Sequence, residues 1–104
     1  MKRPDKLRII GKTYRIKYYR RPFYDDDGSE LNGHIWPEQQ IIKVAEKVGD
    51  ALLREVLLHE AMHGIEQDMG VKISEADLTR MAAGVLALLT DNPDFAAYLV
   101  SKDA

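Results

Sequence analysis

The chain has 104 residues and 45% hydrophobic side chains, enough for one compact domain with a modest core and too few for a separate substrate domain. Zero cysteines exclude disulfides and every thiolate metal site. The net charge of −2 hides an asymmetry: residues 1–21 hold nine Lys or Arg and one Asp (+8), while residues 22–104 hold six basic and sixteen acidic side chains (−10).

The longest apolar run, Met81 to Leu89, is nine residues, far below the roughly 20 that span a bilayer. Met1 to Lys6 carries charge with no apolar run behind it, so no signal peptide and a cytoplasmic protein are expected. The basic N-terminal segment is either the solvent face of a strand or a contact surface for nucleic acid or an acidic partner.

Leu7 to Ile10 is apolar-rich and ends at Gly11-Lys12. Thr13 to Tyr19 then alternates, with Tyr14, Ile16 and Tyr18 on one side and Arg15 and Lys17 on the other. Glycine at the first position of a two-residue loop predicts a type II′ hairpin here. One wet strand face then accounts for most of the basic charge. The run Asp25-Asp26-Asp27-Gly28-Ser29-Glu30 invites a calcium loop, but counted from Asp25 the sixth position is Glu30, where that loop requires glycine. It reads as a solvated loop. Gly33 to Trp36 and Gln40 to Ala45 predict a second strand pair turning at Pro37-Glu38-Gln39, with His34 in a structural or exposed role beside Trp36.

Gly49-Asp50 opens a long helix with Asp50 as N-cap; Leu52, Leu53, Val56 and Leu57 have helical spacing, and Gly70 suits the stop. Ser74, with Asp77 three residues on, predicts the capped start of a second helix. Its buried face is Leu78, Met81, Ala82, Val85, Leu86 and Leu89, with Ala83 and Gly84 permitting close packing. Asn92-Pro93 starts a short third helix from Asp94 to Val100. The expectation is a single α+β domain over residues 1–104.

The long helix carries His59-Glu60-Ala61-Met62-His63. Positions i and i+4 lie one above the other on a helix, so His59 and His63 can offer two imidazole nitrogens to one metal ion. The histidines also continue the apolar stripe of Leu52 and Val56, seven residues earlier in each case. Glu60, about 100° round from His59, can reach a water on that ion. Zinc bound this way acidifies its water, and the carboxylate takes the proton. A catalytic zinc needs a third protein ligand, here a carboxylate: Glu66, Asp68, Glu75 and Asp77 are the candidates. Glu66 projects beyond the site, Asp68 has the wrong rotation and Asp77 is engaged in capping. Glu75 opens a separate helix that can cross the first, and is favoured.

The segment from Leu57 to Leu89 resembles the small gluzincin-like metallopeptidases of the ImmA/IrrE type, including short versions encoded by phages and mobile elements. That family pairs His-Glu-x-x-His with a downstream helix of the form Glu-x-x-Ala-Asn-x-Phe-Ala-x-x-Leu-Leu. Here Glu75 falls on the glutamate ligand, Ala82 and Leu86 also match, Leu78 and Thr79 replace Ala-Asn, and Met81 replaces Phe. The resemblance covers about a third of the chain. It implies a minimal zincin-like domain, with N-terminal antiparallel β-hairpins packed on the His-Glu-x-x-His helix and on a second, ligand-bearing helix. It also implies Zn2+ held by His59, His63 and Glu75, with Glu60 as general base acting on a peptide or protein.

An extended peptide could add to a sheet edge, with Ile41 to Val44 as the proposed strand. Tyr24, His34 and Tyr98 are candidates to steady the oxyanion. So short a chain leaves little surface for a deep cleft. The alternative is a non-catalytic module that keeps the fold and contacts protein or nucleic acid through the basic hairpin. Glu60 favours the enzyme, because holding a metal gives no reason for a base there.

Overall fold

A computed structural model describes residues 1–102. Its elements are β1 (Lys6–Ile9), β2 (Lys12–Tyr19), β3 (Gly33–Trp36), β4 (Ile41–Ala45), α1 (Asp50–Met69), α2 (Glu75–Asp91) and α3 (Pro93–Val100). The α+β composition and most boundaries agree with the sequence reading. The four strands form one sheet in the order β1-β2-β4-β3. Both hairpins are antiparallel, but they join through parallel pairing of β2 with β4, which sets Ile16 beside Ile42 and Tyr18 beside Val44. Strand β4 is therefore internal. The free edge near α1 is β3, which corrects the expectation that Ile41 to Val44 is exposed for peptide addition.

Alternation places Ile9, Tyr14, Ile16, Ile35, Ile42 and Val44 on one face of the sheet, where Leu53 and the partly buried Val56, Leu57 and Ala61 of α1 close the core. The β1–β2 turn is Ile10-Gly11, with φ of 43° and 81°. Positive φ at both central residues makes it type I′, not the expected II′, because the loop begins one residue earlier.

Helix α1 starts at Gly49, whose carbonyl accepts from Leu53 N–H; Asp50 is the first helical residue and not the cap. Arg3 straps the N-terminal segment to this start, with Nε donating to Asp50 at 3.0 Å and its other nitrogens donating to the Glu46 and Val48 carbonyls. Gly70, at φ 68°, stops α1 as expected.

Ser74 caps α2 by accepting from Asp77 N–H at 3.1 Å. Among the described elements α2 packs only on α1 and α3, so its apolar face is shallower than expected. Leu78 and Ala82 are buried, Val85, Leu86 and Leu89 are half-buried, and Met81 is exposed. Nothing lies within 4 Å of a Cβ built on Gly84, so this glycine does not mediate close packing. No helix among the described residues is long and apolar enough to cross a membrane.

Candidate metal centre

The i, i+4 spacing on α1 brings the His59 and His63 rings to a centroid separation of 4.9 Å at 75°. Glu75, first residue of α2, reaches across from the neighbouring helix. One of its oxygens lies 2.7 Å from His59 Nε2 and the other 3.0 Å from His63 Nε2. One ligand atom from each residue falls within 4.8 Å of the others, the only such group of three or more His, Asp or Glu among the described residues. The Asp25–Glu30 run forms no comparable group; Asp27 instead accepts from Ser29 N–H and Oγ–H, which holds its carboxyl below the usual range.

The donor set suits a hard or borderline divalent cation such as zinc. A tetrahedral set about 2.0–2.1 Å from zinc has edges of roughly 3.3 Å, so Glu75 would have to draw back only slightly to admit the ion. Its side chain is 68% exposed, which leaves room for that movement.

His63 is gripped from behind. Its Nδ1 lies 3.1 Å from one Glu66 oxygen, while the other Glu66 oxygen accepts from Ile73 N–H at 2.5 Å. The Ile73 bond first, and the His63 contact second, hold the Glu66 carboxyl below its ordinary pKa. Glu66 was expected to project beyond His59 and His63; its link between His63 and Ile73 was not foreseen, because only the path of the loop into α2 makes it visible. Glu66 ties His63 to the loop that delivers Glu75.

The buried row of α1 is Leu53, Glu60 and Gly64, whereas Leu52 is 45% exposed and the histidines sit on the rim. The stripe expected from Leu52 and Val56 to the histidines is thus rotated outward. The cause is the close approach of β3. A Cβ on Gly33 would lie 2.6 Å from Val56 Cγ1 and 3.4 Å from Glu60 Cγ, and one on Gly64 would meet Ile9 and Ile35 at 3.1–3.2 Å. Two missing side chains let the sheet cover Glu60, which is 7% exposed and the one buried charged residue among the described residues. Burial pushes its pKa up to about 7; His63 counters this and Glu75 adds to it.

A cleft of about 970 Å³ runs past Glu60, His63 and Glu75, walled by Gly33 to Ile35 on one side and reaching Asp25 and Ser29 of the acidic loop. That is larger than the chain length suggested. Ala45 N–H donates to the Asn32 carbonyl, and antiparallel alternation from that pair leaves the N–H and C=O of Gly33 and Ile35 turned away from β4, along the free edge. Of the oxyanion candidates, His34 lines the cleft, its ring tilted 58° to that of Trp36 at a centroid separation of 4.4 Å, whereas Tyr24 and Tyr98 do not line it. Comparison with known proteins finds no matching family model, no similar curated sequence and no similar solved structure.

Proposed function

We propose that the protein is a zinc-dependent metallopeptidase of minimal zincin type. The observation that carries this reading is the meeting of three ligand atoms with a buried glutamate beside an unpaired strand edge. His59, His63 and Glu75 hold the ion, the ligand set that the resemblance to ImmA/IrrE-type enzymes implies. Zinc, when bound, acidifies a water and polarises the scissile carbonyl. Glu60 accepts the proton of the attacking water and returns it to the leaving amine. Burial, which pushes the Glu60 carboxyl up to about 7 with no ion bound, is the feature that makes it basic enough to take that proton. Glu66 fixes the His63 ring with Nε2 turned toward Glu75, the side on which the ion would be held. Gly33 and Ile35 pair with the backbone of an extended peptide and set its register.

Elemental analysis of the purified protein beside Glu75→Ala and Asp77→Ala tests the ligand set. About one zinc per chain is expected in the wild type and in Asp77→Ala, and a loss in Glu75→Ala; a metal-free wild type after zinc supplementation overturns the reading. Cleavage of a peptide library, abolished by Glu60→Gln with metal content retained, separates the enzyme from a module that only binds metal.

A further inference from the structure

The face of the sheet opposite α1 carries a pattern that the metal centre does not use. Alternation sends Lys6 and Arg8 of β1, Arg15 and Lys17 of β2, and Lys43 of β4 to this face, together with His34 and Trp36 of β3. No acidic residue occupies a strand position there, although the whole chain has a net charge of −2. Elsewhere in the basic N-terminal segment, Arg3 pairs with Asp50, Lys12 with Asp68 and Arg20 with Glu46. None of the five outer-face cations has an ion-pair partner among the described residues.

The register makes this arrangement unfavourable for the protein alone. Lys6 lies directly opposite Arg15, and Lys17 directly opposite Lys43, which in turn faces His34. Like charges in directly opposed positions destabilise a sheet, and solubility requires only charge, not two matched like-charge pairs. A polyanion laid across the strands would relieve both repulsions.

Aromatic rings stand at one end of the cation rows. Lys43 Nζ lies 4.4 Å from the Tyr19 ring centroid, 5.2 Å from Phe23 and 5.5 Å from Trp36. Cations that track a phosphate backbone, beside π-faces that accept bases, are the two components of single-strand recognition. No helix among the described elements lies on this face to enter a major groove, and bases already stacked inside a duplex would leave the aromatic group unused.

We infer that the outer face of the sheet binds single-stranded nucleic acid, with Lys6, Arg8, Arg15, Lys17 and Lys43 on phosphates and Trp36 stacking on a base. The surface is separate from the metal centre, so the inference does not depend on the peptidase reading. Trp36 is the only tryptophan, which makes its emission a direct probe.

Titration of the full chain with oligo-dT, oligo-U and a duplex, at about 50 and 200 mM salt, provides the test. The expected result is Trp36 quenching by a single strand, DNA or RNA, weaker binding and no quenching with duplex, and affinity that falls steeply with salt. The double variant Arg15→Glu/Lys17→Glu, its fold checked by circular dichroism, should bind at least about tenfold more weakly. Trp36→Ala should lose about tenfold by anisotropy of a labelled strand. No binding at the lower salt, duplex binding as tight as single-strand binding, or binding indifferent to the double variant would each overturn the inference.

Discussion

Glu66 contributes no ligand atom in this arrangement, yet its two oxygens join His63 Nδ1 to the backbone of Ile73, two residues before Glu75. Glu66→Ala should lower zinc affinity about 10- to 100-fold, measured by competition with a chelating dye, while the ligand residues stay intact. Glu60 makes the opposite kind of contribution. A carboxyl whose folded pKa lies near 7, above the ordinary 4.5, favours folding while protonated. That stability is fully present below about 4.5 and is lost as pH rises through about 7, a change on the order of 3 kcal/mol for the metal-free protein. Chelator-treated wild type should thus melt lower at pH 8 than at pH 5 relative to Glu60→Gln, which does not titrate. Equal pH dependence in the two proteins would show that Glu60 is not held in a desolvated site. At this scale the meeting of His59, His63 and Glu75 was legible, because helical spacing pairs the histidines and Ser74 starts a second helix that can bring Glu75 to them. The burial of Glu60 was not, since it depends on what β3 lacks.

Between α1 and β3 the controlling residue is Gly33. A methyl group there would sit 2.6 Å from Val56 Cγ1, so either the branched Val56 side chain turns out of its rotamer or helix and strand part. Gly33→Ala should destabilise the fold by about 1–3 kcal/mol in denaturant titrations. Gly84 supplies the contrast. It is exposed in the middle of α2 with open space around it, so Gly84→Ala should stabilise by about 0.5–1 kcal/mol. The hairpins and three helices could be read locally from alternation, helical spacing, Gly70, Ser74 and Pro93. The parallel junction of β2 with β4 could not, because it pairs segments more than 20 residues apart and no turn chemistry announces it. The same junction turned the expected edge strand into an interior one.

Across the whole molecule, α1 is fastened to the sheet by the core, whereas among the described elements α2 packs on α1 and α3 alone. Helix α3 has no buried residue, and Phe95, Tyr98 and Leu99 are exposed. In a chain without cysteine, a metal bridging His59 and His63 to Glu75 would serve as the cross-link between the two halves. Zinc at about 100 times its dissociation constant should therefore stabilise the protein by roughly 2.7 kcal/mol, seen as a rise in melting temperature that Glu75→Ala abolishes. Amide exchange in α2 should slow with the same dependence. A shift that persists in Glu75→Ala would place the ion elsewhere.

The free edge of β3 is also a hazard of self-association, because unpaired N–H and C=O groups accept any extended chain, including another copy of this protein. Two features limit that risk. The strand is only four residues long, and Pro37 follows it immediately, so a partner strand finds little ladder to extend. An edge short enough to discourage aggregation offers a peptide few backbone bonds as well. On the proposed peptidase reading, discrimination among peptides would fall to the side chains that line the cleft.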